Sequence, residues 1–180
     1  MKKPILFLIL LFCFFTIKAQ EESTDETLDS SEIKLNALYM VVGAFEVSYE
    51  YLLNEESGVG VSVFLPFDKD IKEDINYYIS PYYRFYFGNK YASGFYLEGF
   101  GMLSDVRVNE ITYFDINGNI TREEYEDETN FALGIGLGGK WITSRGLLGE
   151  LNLGVGRNIF NSDYDNEFVG KIAITVGYRF

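Results

Sequence analysis

The segment from Phe168 to Phe180, FVGKIAITVGYRF, alternates almost perfectly between large apolar residues and small or charged ones. A period of two is typical of a β-strand with one apolar and one polar face. The same alternation recurs from Ile33 onward, interrupted by turns rich in Gly, Asn and Asp, and no segment shows a convincing helical period. The pattern therefore predicts an all-β fold.

Eight strands account for the alternating segments. We predict them at Ile33–Val42, Ala44–Leu53, Val59–Leu65, Tyr77–Phe87, Gly94–Leu103, Thr129–Trp141, Leu147–Phe160 and Phe168–Phe180. Pro81 falls inside the fourth of these strands and lacks a backbone donor, so we expect a bulge or a rim position there. A tight turn at Gly43 would join the first two strands.

The lengths of the links between strands predict an up-and-down order with two distinct ends. The long links are the third, the fifth (residues 104–128) and the seventh, whereas the second, fourth and sixth are short. Asn117-Gly118 is a hairpin signal, so we expect Val106–Phe114 to pair with Ile120–Tyr125 and to extend the barrel. A closed eight-stranded barrel with both termini in the periplasm would show this parity.

The size of the residues on the less apolar face indicates whether that face points into the barrel or towards water. That face is rich in glycine, which serves a solvent-facing strand poorly but fits a narrow barrel interior. It also carries charges of both signs, which could pair across a lumen: Glu46, Glu50, Arg84, Glu98, Lys140, Glu150, Lys171 and Arg179. We predict that these eight residues form a lumen charge network.

The opposite face fits a lipid-facing wall. It is crowded with aliphatic residues, and Tyr, Phe and Trp recur near the strand ends, as interfacial girdles do. Arg157 falls on this face by alternation, near the end of its strand, and is expected at the level of the lipid headgroups. The sequence therefore favours an antiparallel up-and-down transmembrane β-barrel, although a soluble carrier barrel with its apolar face inward remains an alternative.

The first 32 residues are predicted to lie outside the barrel. Residues 1–19 resemble a cleaved signal peptide, with Lys2 and Lys3 before a short apolar run. Residues 20–32 are polar and acidic and form a disordered leader, which leaves 33–180 for the barrel. Cleavage would remove Cys13, the single cysteine, and would change the net charge from −12 to −15 through the loss of three lysines. We expect no nucleic-acid binding from so acidic a chain.

The sequence offers no recognisable catalytic, cofactor-binding or metal-ligating residues. It contains no histidine, which excludes Ser-His arrangements and imidazole ligands. The stretch DINGNI at residues 115–120 lacks the glycine and glutamate positions of a calcium loop. The acidic segment at residues 122–128 is expected to be a solvated surface, with binding of a divalent cation or a partner as the alternative. We predict that the protein is not an enzyme and needs no cofactor.

Four segments resemble a family of small outer-membrane β-barrel proteins of unknown function (DUF3575-like) found in Bacteroidetes-type bacteria: KLNALYMVVGAFEVSYEYLLNEESGVGVSV, SPYYRFYFG, GFYLEGFG and GIGLGGKW. The resemblance implies insertion into the outer membrane of a Gram-negative bacterium with the amino end in the periplasm. The final strand is similar to the signal that the barrel-assembly machinery recognises, carried here by Ile174, Val176, Tyr178 and Phe180.

The function expected from these observations is a structural or surface-interaction role, with a mostly occluded polar lumen. A narrow passive channel for water, ions or small solutes is the second hypothesis, and a soluble or periplasmic ligand carrier is the third. The expected partners are outer-membrane lipid, the barrel-assembly machinery and an extracellular partner at the acidic loop 104–128.

Overall fold

The computed structural model describes residues 30–114, 120–160 and 167–180, and for residues 108–114, 120–126 and 160 it describes the backbone alone. The predicted signal peptide, most of the predicted leader and the Asn117-Gly118 turn lie outside the described residues. Within the described part of the chain, no helix is both long and apolar enough to cross a membrane.

Eight strands and two short helices make up the described chain. The elements are β1 (Ser31–Asn36), α1 (Ala37–Val42), β2 (Ala44–Asn54), β3 (Ser57–Pro66), α2 (Lys69–Asp74), β4 (Ile75–Tyr86), β5 (Gly94–Phe114), β6 (Ile120–Ile142), β7 (Leu147–Phe160) and β8 (Phe168–Arg179). Each strand pairs antiparallel with the next, and β8 pairs with β1, so the sheet closes into a barrel. The predicted fold class is confirmed.

The register fixes the shape of the barrel. Following paired residues once around the wall from Trp141 on β6 leads back to Phe131 on the same strand, ten residues away. Eight strands with this shear tilt about 40° from the axis and enclose a tube with a backbone radius of about 8 Å. Such a tube leaves room for side chains and little else.

The prediction for the first strand is wrong in its second half. The alternation predicted a strand through Val42, but β1 ends at Asn36 and residues 37–42 form the helix α1. Asn36 caps this helix by accepting a hydrogen bond from the Leu38 amide, and Gly43 ends it with a φ of 119°. At the other end, β1 begins at Ser31, two residues before the predicted start of the barrel.

Two further expectations have different outcomes. The register is the same on both sides of Pro81 (Ile79 opposite Leu103, Tyr82 opposite Phe100), and Pro81 lies mid-strand opposite Val61, so the expected bulge or rim position is wrong. The extension of the fifth link is confirmed, because β5 and β6 continue to pair from Val106 opposite Glu128 to Phe114 opposite Ile120.

The two faces of the wall point as predicted. The large apolar residues of the alternating rows are exposed on the outside, including the four positions of the proposed assembly signal. The inward rows hold charged residues, tyrosines and glycines. The interior rings lie directly over glycines on neighbouring strands, since a Cβ at Gly60 would strike Tyr82, one at Gly138 would strike Tyr96, and one at Gly134 would strike Phe100.

Candidate functional site: the charged lumen

The lumen is the candidate site, because buried charged side chains from several strands lie close together there. All eight predicted lumen charges are buried: Glu46, Glu50, Arg84, Glu98, Lys140, Glu150, Lys171 and Arg179. Two further residues on β1 complete the set, Glu32 and Lys34. The described lumen thus contains five carboxylates and five cations, and its formal charges cancel.

Glu50 on β2 is the centre of the network. Its carboxylate accepts hydrogen bonds from Arg84 Nη1 at 2.9 Å, Tyr82 Oη at 3.2 Å and Lys140 Nζ at 3.4 Å, and further short bonds from two more groups, Lys34 Nζ and Tyr86 Oη. These donors come from β1, β4 and β6, so one carboxylate ties three other parts of the wall together. Local neutralisation by these cations offsets the cost of burying the carboxylate of Glu50.

Arg84 carries the network across the tube. Its guanidinium donates to Glu98 on β5 at 2.7 Å and to Glu150 on β7 at 2.9 Å. The same group lies between two rings, 4.5 Å from the centroid of Tyr82 and 4.3 Å from that of Tyr96. The guanidinium therefore reaches from the β4 wall to carboxylates on β5 and β7.

Three carboxylates come close enough to suggest a metal site, but ammonium groups already neutralise them. Oxygen atoms of Glu32, Glu50 and Glu150 lie within 4.8 Å of one another. Lys34 Nζ is 3.1 Å from Glu32 and 2.8 Å from Glu150, and Lys140 Nζ is 2.7 Å from Glu32. The arrangement fits a salt-bridge cluster better than a cation site.

The barrel has two different ends. We call the end with the links 55–56, 87–93 and 143–146 the turn end, and the opposite end, with α1, α2 and the β5–β6 extension, the loop end. At the turn end Arg179 donates to Glu32 at 2.8 Å and to the carbonyls of Tyr91 and Ala92 at 2.9 Å each. Ala92 is fully buried, so this part of link 87–93 packs inward against Arg179 at the turn end.

Aromatic residues line the lumen towards the loop end. We define the aromatic cluster by its buried members Ala44, Phe64, Tyr78, Tyr82, Phe100, Met102 and Ala132, against which Tyr39, Ile71, Ile75 and Val169 pack. Phe64 and Tyr78 stack with their centroids 4.7 Å apart. Glu46 faces this cluster with neutral partners, accepting from Asn36 Nδ2 at 2.6 Å and Tyr78 Oη at 2.8 Å.

Arg157 lies outside this site, as the alternation predicts. Its side chain is 68% exposed, and its Nη2 atom is 3.5 Å from Glu167. It occupies the row of Leu133 and Phe168 on the outer wall, near the loop end of β7.

Sequence reasoning found eight of the ten lumen charges and missed two. Lys34 lies between Ile33 and Leu35, which the alternation places on the outer face, so its inward position was readable from the sequence. Glu32 was assigned to the leader because the residues before it are uniformly polar, and only its pairing opposite Arg179 shows that it belongs to the wall. Which lumen charges pair with one another depends on the shear of the barrel, and the sequence pattern alone does not specify that shear.

Comparison with known proteins agrees with this architecture. The model of the family described as "Protein of unknown function (DUF3575)" matches residues 5–178. No curated protein matches the chain.

Two solved structures match most of the chain. The crystal structure of the N-terminal β-barrel domain of Pseudomonas aeruginosa OprF superposes with a TM-score of 0.54 at 15% identity, covering 84% of this chain and 98% of that one. The backbone structure of the Yersinia pestis outer membrane protein Ail in a phospholipid bilayer nanodisc gives a TM-score of 0.41 at 18% identity, covering 84% of this chain and 99% of the other. With nearly its whole length matched by the family model, the chain belongs to the DUF3575 family.

Proposed function

We propose that the protein is an outer-membrane β-barrel with an occluded lumen, and that it acts through its surface rather than through transport or catalysis. The observation that carries this proposal is the balanced set of five buried carboxylates and five buried cations that bridges opposite walls. An interior of about 8 Å backbone radius has room for such a set and for little more.

The distribution of polarity supports membrane insertion over the soluble carrier. Soluble monomers rarely expose an apolar patch larger than a few hundred Å², whereas here each of the eight strands carries exposed apolar residues on its outer face. A carrier barrel would also need an apolar interior along its length, and the central layer of this one is ionic. Closure of the sheet pairs its strands with one another, as a lipid environment demands.

Link lengths and charge support an orientation with the turn end in the periplasm. Both the start of β1 and the end of β8 lie at the turn end, where the links are short. The long links at the loop end, including the acidic loop 104–128, would then face the cell exterior. An epitope tag inserted at residues 115–119 should be accessible to antibody on intact cells, and one inserted at 143–146 should not; the reverse result would overturn the orientation.

Single-channel recording separates the occluded barrel from the passive channel. We expect the wild-type protein in planar bilayers to show no conductance steps above background, because the guanidinium of Arg84 and its partners block the axis. The double variant Arg84→Ala/Glu150→Ala removes one charge of each sign and should produce measurable steps, which shows that the assay detects an open lumen. Wild-type steps equal to those of the variant would favour the channel.

If the protein acts through its surface, we expect its partner to bind at the loop end. The β5–β6 extension stands beyond the last residues that pair with β4 and β7, at Val106 and Phe131. Deleting residues 107–127 should abolish any cell-surface interaction while leaving the barrel intact. A deletion variant that binds the partner as wild type does would move the interaction elsewhere on the molecule.

A further inference from the structure

One stretch of the barrel wall is not a strand. The pairing of β1 with β8 runs from Glu32 opposite Arg179 to Asn36 opposite Thr175 and stops there. β8 continues to Phe168, and the place beside its remaining residues is taken by α1, which packs against both β8 and β2. The gap left by one missing strand is about 10 Å wide, which is close to the diameter of an α-helix.

The level of this helix follows from the shear. The positions of Trp141 and Phe131 are about 25 Å apart along the axis, and Asn36 lies near the middle of that height. The helix α1 therefore occupies the half of the wall nearer the loop end. On the proposed function this is the outer half of the hydrocarbon layer, so lipid chains would be the neighbours of α1.

Side chains take over the role of the missing strand. Asn36 acts as a substitute peptide group, because its Oδ1 accepts from the Ile174 amide and its Nδ2 donates to the Ile172 carbonyl, both at 3.3 Å. Tyr39 of α1 interacts with the Ile172 backbone and with Tyr78. Past Ile172, Gly170 is exposed on the outer face, with open space where a Cβ would stand.

The lumen behind α1 is lined mainly by aromatic rings at this height. Tyr39 packs edge-on against Phe64 with the ring centroids 5.2 Å apart, and the aromatic cluster continues inward from there to Phe100 and Met102. Two charges flank the cluster, and both have partners. Glu46 accepts from Asn36 Nδ2 and Tyr78 Oη, and Lys171 pairs with Glu98 at 2.7 Å and lies 5.1 Å from the centroid of Phe100. A molecule that entered beside α1 would therefore meet the rings of Tyr39 and Phe64 next to charges that are already bonded within the wall.

The helix itself is weakly held. It has six residues and none of them is buried, and isolated helices shorter than about 12 residues are marginal. Its sequence, ALYMVV, contains β-branched and aromatic residues that favour strands. Val41 is 88% exposed and Val42 is 55% exposed on the outer side. Local opening free energies are lowest for segments with few buried apolar contacts.

We propose that α1 is a lateral lid, and that an acyl chain of a lipid from the surrounding bilayer inserts between α1 and β8 to pack against the aromatic cluster. The proposal rests on the proposed membrane location. An acyl chain is the occupant that this opening fits, because its outer rim (Val41, Gly170) is apolar and its inner wall presents the rings of Phe64 and Tyr78, while the hydroxyl of Tyr78 is already bonded to Glu46. When Tyr39 swings away from Phe64 it leaves a slot of aromatic width for the chain.

Photo-crosslinking in a bilayer tests the proposal with the full chain. The probe is a phosphatidylcholine with a diazirine near the end of one acyl chain, incorporated into phospholipid nanodiscs, and labelled residues are identified by tandem mass spectrometry. We expect adducts on the inward residues Phe64 and Tyr78 as well as on outward neighbours such as Leu65 and Ile79. Adducts on the outward residues alone would overturn the lid, whereas their absence from both faces would contradict the membrane location itself.

Two variants sharpen the result. Tyr39→Ala removes the contact that holds α1 over the cluster and should raise labelling of Phe64 and Tyr78 at least threefold. Tyr49→Ala removes an outward tyrosine on β2 at a distance from α1 and should leave inward labelling within about 1.5-fold of wild type. Equal inward labelling in both variants would contradict the lid, and the wild-type pattern decides the proposal independently if Tyr39→Ala fails to fold.

Discussion

At the scale of single residues, the stability of this barrel depends on matching each inward group to its surroundings. Glu50 has five hydrogen-bond donors, so Glu50→Gln would remove a carboxylate that three cations share and leave an excess of positive charge in the buried cluster. We expect a loss of about 3–5 kcal/mol in the free energy of unfolding, measured by urea titration in lipid vesicles.

The control for that measurement is the same substitution on the surface. Glu167 pairs with the exposed Arg157 at 3.5 Å, and exposed ion pairs are worth about 0–1 kcal/mol. Glu167→Gln should therefore leave the urea midpoint almost unchanged. Equal losses for the two variants would mean that water reaches Glu50 in the folded barrel.

A second prediction at this scale concerns the glycines under the rings. A Cβ at Gly134 would collide with Phe100 and with the backbone of Gly156 2.7 Å away, whereas a Cβ at Gly99 on the outer face would meet nothing within 4 Å. We expect Gly134→Ala to cost about 1–3 kcal/mol through overpacking and Gly99→Ala to be near neutral. Heat-modifiable migration on gels compares the two, and a greater loss for Gly99→Ala would reverse our assignment of the two faces.

At the scale of the strand, the depth of an outward residue decides the cost of a charge. Ile174 lies near mid-height on β8, and Phe168 lies at its loop end. An arginine at mid-bilayer costs about 2–4 kcal/mol and one at the interface about 0–1 kcal/mol, so Ile174→Arg should destabilise the barrel much more than Phe168→Arg. Urea titration in vesicles measures both, and equal costs would place the hydrocarbon layer elsewhere.

The elements also show what the sequence could and could not predict. Alternation identified all eight strands because inward and outward environments differ along each strand. It failed at Ala37–Val42, because Tyr39 and Val41 continue the alternation of Leu35 while six residues are too few to show a helical period. The helix Lys69–Asp74 was missed for the same reason of length, although Asp68 followed by charged residues is an N-cap signal.

At the scale of the whole molecule, the ionic interior should make stability insensitive to salt. Surface ion pairs are screened with a Debye length of about 10 Å at 0.1 M salt, whereas buried pairs are screened much less. The side chains of Glu50 and Lys140 are completely buried. We therefore expect the urea midpoint to be nearly constant between 0.05 and 0.5 M NaCl, and a marked fall would show that salt enters the lumen.

The pairing of β1 with β8 also has a kinetic consequence. The bond from Arg179 to Glu32 joins residues 147 positions apart, and Arg179 also holds link 87–93. Contacts of such high sequence separation form late and slowly, because loop entropy must be overcome before they contribute. Until β8 pairs with β1, the sheet is open and has two edge strands with unpaired backbone groups. The last twelve or so residues therefore determine when the sheet closes and can be stable in a bilayer.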